Sequence, residues 1–150
     1  LALSTELQLG KAAEHFVCYD LIYKGYNAFL SDQGLPYDIL IDHQSKIYKV
    51  QVKSTLRMVT YGTRKDVYSF GLVNGRKNNK TLRFSTVDIM AFFVFDLQKV
   101  AYIWMSQLLN WEGNVLTGVQ FRDRNMIYNQ QTKKNTRYFQ DFLELKIENI

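Results

Sequence analysis

The stretch PYDILIDHQSKIYKVQVKST, Pro36 to Thr55, frames the rest of the chain. Tyr37, Ile39 and Ile41 fall on one face of a candidate strand, and Tyr48, Val50 and Val52 on one face of the next. Two short strands joined by a turn through His43 to Lys46 are expected. With Gln44 and Ser45 at the turn centre the register is symmetric, and Asp38 falls opposite Gln51. Directly opposed residues in an antiparallel pair have Cβ atoms about 4.5–5.5 Å apart, and Lys53, two residues on, shares their face. The turn lacks the Asn-Gly or Asp-Gly signal of a two-residue hairpin, and a one-residue slip sends Gln51 and Lys53 to the wrong face. The apolar alternation opposes that slip. Asp38, Gln51 and Lys53 are therefore expected to converge.

Around this hairpin, 150 residues that are 47% hydrophobic and 15% aromatic supply one sizeable core and too little for two. A single domain spanning 1–150 is expected. No window approaches eighteen consecutive apolar residues, and Glu6 and Gln8 interrupt any signal-peptide layout at the N-terminus. The expectation is a soluble intracellular protein of cytoplasm or nucleoid, with an organelle left open and no membrane partner. Cys18 is the single cysteine, which excludes an internal disulfide framework; with only His15 and His43 a structural zinc site is unfavourable. Cys18 reads as a small buried hydrophobe.

The net charge of +5 is unevenly spread. From Lys53 to Arg83 eight basic residues (Lys53, Arg57, Arg64, Lys65, Arg76, Lys77, Lys80, Arg83) meet one acid, Asp66. A second cluster comprises Arg122, Arg124, Lys133, Lys134 and Arg137, offset by Asp123. Charge runs are usually solvated faces. Two of them beside the hairpin triplet fit a polyanionic partner better.

Elsewhere, Thr5-Glu6-Leu7-Gln8 matches a capping box, and Leu9, Ala12, Ala13, Phe16, Val17 and Leu21 have helical spacing up to Lys24-Gly25. Tyr26 to Leu30 reads as extended and Val67 to Val73 as a strand before the polar loop Asn74 to Lys80. Ile89 to Phe95 and Val100 to Met105 read as two buried strands joined at Asp96 to Lys99. A short helix is expected over Ser106 to Trp111. Tyr138, Phe139, Phe142, Leu143 and Ile147 predict a C-terminal helix from Asn135 to Ile150, with Thr136 as N-cap and its apolar face a candidate subunit interface. Tyr61, Tyr68 and Tyr128 are candidates to stack on bases, although aromatics at this density mostly build core. His15 and His43 read as surface or boundary residues.

Gly10-x-x-x-Glu14 on the first helix, Pro36-x-Asp38, Gln51-x-Lys53 followed by Ser54-Thr55, and Val87-Asp88 leading into an apolar hairpin together resemble the PD-(D/E)XK nuclease superfamily. The resemblance spans most of residues 4 to 109. It is strongest to the group I intron-encoded homing endonucleases of this type, where glutamine also replaces the second acid. The fold class it implies is α/β (α+β): a restriction-endonuclease-like mixed β-sheet flanked by helices.

The activity it implies is sequence-specific, Mg2+-dependent double-strand DNA cleavage by phosphodiester hydrolysis, in intron homing. The alternatives are a Holliday junction resolvase-like nuclease and a catalytically decayed DNA-binding module. The resemblance assigns catalysis to Glu14, Asp38, Gln51 and Lys53. Asp38, the Gln51 side-chain oxygen, the Val52 carbonyl and Glu14 would hold the cation, an oxygen set suited to magnesium. Gly10 would let the helix approach closely. Ser54, Arg57, Arg76, Lys77, Lys80, Arg83, Arg122, Arg124, Lys133 and Lys134 are the expected DNA contacts. Cutting two strands takes two sites, so a homo-oligomer is expected, a dimer or, as the resemblance favours, a tetramer.

Overall fold

The computed structural model describes residues 6–32, 34–61, 64–72, 86–128 and 136–147. The chain runs through α1 (Glu6–Tyr23), β1 (Asn27–Leu30), β2 (Ile39–His43), β3 (Lys46–Thr55), β4 (Val59–Tyr61), β5 (Arg64–Gly71), β6 (Ile89–Val94), β7 (Lys99–Trp104), a 3-10 turn Met105–Leu108, β8 (Gly118–Arg122), β9 (Arg137–Tyr138) and a 3-10 turn Phe139–Phe142. One sheet has the order β1-β2-β3-β6-β7, the other β4-β5-β8-β9. In the first, β3 and β6 are parallel and the other pairs antiparallel. The mixed-sheet α+β class read from the sequence is the one observed. No helix among the described residues is long and apolar enough to cross a membrane.

α1 covers one face of the five-stranded sheet: Ala13, Val17 and Leu21 pack with Ile39, Ile41, Val50, Ile89, Ala91, Phe93 and Val100. The opposite face is covered by the second sheet. There Phe92 meets Phe70 and Phe121, with ring centroids 4.9 and 5.4 Å away. β6 lies between the two cores and is buried throughout, which explains why its sequence is continuously apolar instead of alternating.

α1 ends where the sequence predicts. The N–H of Tyr26 reaches the Leu21 carbonyl and that of Gly25 the Ile22 carbonyl, both at 3.0 Å, with Gly25 at φ 99°. This doubly bonded cap needs a left-handed residue, and glycine adopts that conformation without a Cβ clash. Thr5, the proposed capping residue at the other end, lies outside the described residues.

The hairpin pairs Ile39 with Val50 through His43 with Lys46. Gln44 and Ser45 sit at φ 50° and 66°, the paired left-handed conformation that suits the strand twist, in residues that adopt it at a cost. At Asp38 the symmetric register breaks, which corrects the expectation that Asp38 stands directly opposite Gln51. The Asp38 N–H donates to the Val50 carbonyl at 2.9 Å, so Asp38 and Ile39 both face Val50, as in a β-bulge. On its other side Asp38 stays in register with β1: the Ser31 N–H donates to the Asp38 carbonyl at 2.9 Å, one step beyond the pairing of Leu30 with Ile39.

The parallel join of β3 to β6 is clipped by Asp88. Its carboxylate accepts the Lys49 N–H and its own N–H donates to the Lys49 carbonyl, both at 2.8 Å. The short helix expected over Ser106 to Trp111 is the 3-10 turn Met105–Leu108. The C-terminal helix is not formed among the described residues: β9 and the 3-10 turn Phe139–Phe142 bury Phe139, and the chain then runs on as a strap. Lys24 Nζ, the Tyr26 hydroxyl and Trp104 Nε1 donate to the carbonyls of Leu143, Leu145 and Lys146. An α-helix would have used those carbonyls internally.

Candidate active site

β2 stops at Ile39 while β3 continues to Thr55, so β3 beyond Val50 has no β2 residue opposite it. The main-chain N–H of Val52 on this open edge donates to the Asp38 carboxylate, 2.8 Å from Oδ2. The bulge that displaces Asp38 from the ladder thus turns its carboxylate onto the edge. Its backbone is held on both sides, by Ser31 and Val50, and the neighbouring Tyr37 carbonyl accepts the Ser31 hydroxyl at 2.5 Å.

Glu14 reaches the same place from α1. Ala13 and Val17 fix the helix against the sheet, and Glu14 emerges next to this buried stripe with its Oε2 3.2 Å from Lys11 Nζ. The Glu14 and Asp38 carboxyls line the same cleft, close enough for Glu14 to raise the pKa of Asp38. Burial pushes Asp38 up from the usual carboxylate range to about 6, the Glu14 carboxyl adds to the rise, and the Val52 N–H and Lys53 oppose it. A buried Asp38 carboxyl with a second carboxyl near it is a place where a cation is favoured. Glu14, Asp38, Val52 and Lys53 are thus brought together. Gly10 is different: a Cβ there meets nothing within 4 Å, so close helix approach is not its role.

Gln51 is half-buried on β3, and its Oε1 is buried with no hydrogen-bond partner among the described residues. Leaving such an oxygen unpaired costs roughly 1–3 kcal/mol. No group of three or more His, Cys, Asp and Glu side chains suited to a metal occurs among the described residues. With Gln51 in the place of an acid, two carboxylates and neutral oxygens are the available donors. That all-oxygen set fits a hard divalent cation, and an orphaned buried oxygen is what such a cation would satisfy.

The expected DNA contacts divide. Arg57 is exposed and Ser54 half-buried on β3. Arg122 lies over the Tyr128 ring, 4.5 Å from its centroid. Arg124 is already engaged: its Nε and Nη2 each lie 2.6 Å from an Asp141 oxygen, and it stacks over Tyr138 at 4.2 Å. Arg76, Lys77, Lys80, Arg83, Lys133 and Lys134 lie outside the described residues. Tyr68 is core, so it is not a base-stacking residue.

Two features escaped the sequence reading. One is a cleft of about 520 Å3 between α1 and the loop before β2, lined by Lys11, Glu14 and Asp38 among others. The placement of Lys11 three residues before Glu14 was a readable signal for its share of it. The other is the bonding of Asp123, which joins distant segments and has no local signature.

The model of a family described as PD-(D/E)XK endonuclease matches residues 5–144. No match was found among curated proteins. Among solved structures, that of a bacterial homing endonuclease, I-Ssp6803I, superposes with a TM-score of 0.62 over 88% of this chain and 84% of that chain, at 16% identity. At that identity the likeness is one of fold.

Proposed function

This chain belongs to the PD-(D/E)XK endonuclease family and is a DNA-cleaving hydrolase, and from that premise we propose that it is a sequence-specific, Mg2+-dependent double-strand endonuclease acting in intron homing. The observation that carries the reading is the meeting of the Glu14 and Asp38 carboxyls at the open edge of β3, a strand that also bears the unpaired Gln51 oxygen. Likeness in fold to a homing endonuclease favours the homing role. Asp38, Glu14, the Gln51 side-chain oxygen and the Val52 carbonyl would hold the magnesium ion. When bound, a divalent cation supplies Lewis acidity and positive charge at the scissile phosphate.

The side chains have separate tasks. Asp38 and Glu14 provide the negative charge that a cation offsets, and Gln51 adds an oxygen without adding charge. One charge fewer beside the cation weakens its hold in the absence of substrate, and a DNA phosphate oxygen makes up the difference. Lys53 brings a positive charge to the phosphate and orients the attacking water. Cutting both strands takes two such sites, so the working form is a homo-oligomer with a two-fold axis, a dimer or a tetramer. Exposed Arg57 and the basic segments supply phosphate contacts.

The test is cleavage of duplex DNA, selected from a randomised library, by the wild type and by Lys53→Ala in magnesium. The variant should bind with near-wild-type affinity and cut about a thousandfold more slowly. A wild type that binds duplex and cuts none of it overturns the reading in favour of a decayed binding module. Preference for four-way junctions over linear duplex would turn it towards a resolvase.

A further inference from the structure

α1 is longer than the surface it covers. Its buried residues are Ala13, Val17, Cys18 and Leu21, so its first two turns project beyond the core. Facing them is the loop before β2, and the cleft of about 520 Å3 lies between, with the Glu14 and Asp38 carboxyls in its lining. Leu7 lines it from the helix and Leu35 from the loop, 76% and 45% exposed. These two leucines give the polar cleft an apolar face on each side.

Lys11 is the basic residue of this lining. Its ammonium, 3.2 Å from Glu14 Oε2, is held on the cleft side of α1 one turn from the catalytic carboxyls. An exposed pair of this kind contributes little to stability, since its charges remain solvated. A phosphate entering the cleft passes three carboxylates, Glu14, Asp32 and Asp38, and the repulsion has to be offset. Lys53, on β3, is assigned above to the scissile phosphate, and Lys11 lies on the α1 wall of the cleft. A deoxyribose has apolar C–H faces that suit leucine side chains, and its phosphate suits an ammonium.

We infer that this cleft takes the nucleotide next to the scissile phosphate, in the strand being cut, with Lys11 on its phosphate and Leu7 and Leu35 against its deoxyribose. The inference rests on the nuclease reading above and adds a substrate-binding residue to it. Lys11 is a point-charge contact, so it raises affinity without reading sequence.

The experiment uses a duplex that the wild type cuts, with calcium in place of magnesium to hold it uncut, and measures binding by anisotropy across a salt series. A single neutral methylphosphonate is walked along the cut strand on either side of the scissile position. For the wild type, one neighbouring position should weaken binding about tenfold. Lys11→Gln should lose about tenfold on the unmodified duplex and lose nothing further at that one position, because the contact is already absent. Its slope of log affinity against log salt should be smaller by about 0.9, one phosphate contact. Lys11→Arg should retain most of the affinity, and all three proteins should melt together. Lys11→Gln binding like the wild type, or methylphosphonate losses that add to it at every position, overturns this inference while leaving the nuclease intact. A wild type that cuts no duplex overturns both.

Discussion

Two aspartates of this molecule sit in opposite polar surroundings. Asp123, at the end of β8, is 6% exposed and fully used: Oδ2 accepts the Tyr68 hydroxyl at 3.1 Å, and Oδ1 accepts the Asn125 N–H and Gln140 Nε2 at 2.8 and 2.9 Å. Its own N–H donates to the Tyr128 hydroxyl, which in turn donates to the Asp66 carbonyl. Asp38 accepts one main-chain N–H and faces a second carboxyl. The first environment surrounds one acid with donors; the second sets two carboxyls near each other, with the Val52 N–H on one and Lys11 on the other. Burial alone does not separate a structural acid from a functional one, whereas the balance of donors to acceptors around it does.

That contrast is open to test at both ends. The largest effect on stability is expected at Asp123. Asp123→Ala strands three donors beneath the second sheet and should lower unfolding free energy by about 2–4 kcal/mol in chemical denaturation. Cleavage per folded molecule should be nearly unchanged. Loss of activity with unchanged stability would place Asp123 among the functional acids and erase the distinction.

Asp38 should behave in the opposite sense. Its folded-state value of about 6 lies above the ordinary carboxylate value of 3.8, so the fold binds that proton more tightly than the unfolded chain does. Stability therefore falls as pH rises from about 4 through about 6 and stays lower above. Asp38→Asn carries no charge at any of these values. It should be more stable than the wild type at pH 8 by about 1 kcal/mol, after discounting for solvent screening of a partly exposed group. It should show no advantage at pH 4, and it should not cut. Melting curves at both pH values check the sign, and a destabilised variant at pH 8 would contradict the account in which burial and then Glu14 raise Asp38.

The smallest effect concerns Gln51. Gln51→Glu restores a charge beside Asp38 and should raise magnesium affinity in the absence of DNA about tenfold, measured by calorimetry. The same titrations of the wild type should show tighter magnesium binding with a non-cleavable duplex than without. Equal affinities in the wild type would remove the argument that substrate completes the site.

How much of this was readable beforehand depends on where the determinants lie. The hairpin is readable because alternation and a symmetric turn are local, and α1 because its apolar stripe and Gly25 stop are local. The bulge at Asp38 is not, because it consists of a second N–H on the Val50 carbonyl, which no residue pattern in the hairpin marks. The C-terminal strap misleads in the same way. Tyr138, Phe139 and Phe142 have helical spacing, yet the following carbonyls are taken by Lys24, Tyr26 and Trp104, residues far away in the chain. The second sheet is half readable: Val119 and Phe121 alternate with Gln120 and Arg122 over five residues only, and the partner β5 is remote in sequence. Among candidate site residues the carboxyls and Lys53 follow from motif spacing. The engagement of Arg124 with Asp141 could not be foreseen, since nothing in their separation brings them together.

The open edge of β3 has a further consequence for how the enzyme becomes competent. Asp38 and Val52 close a short loop through a tight turn, whereas Glu14 arrives on a separate helix by a longer path. Closing the shorter loop loses less chain entropy, so the strand half of the site is favoured to organise first and the helix completes it. Because Ala13, Val17 and Leu21 belong to the core of that sheet, the packing that holds the fold also holds Glu14 and one wall of the cleft in place.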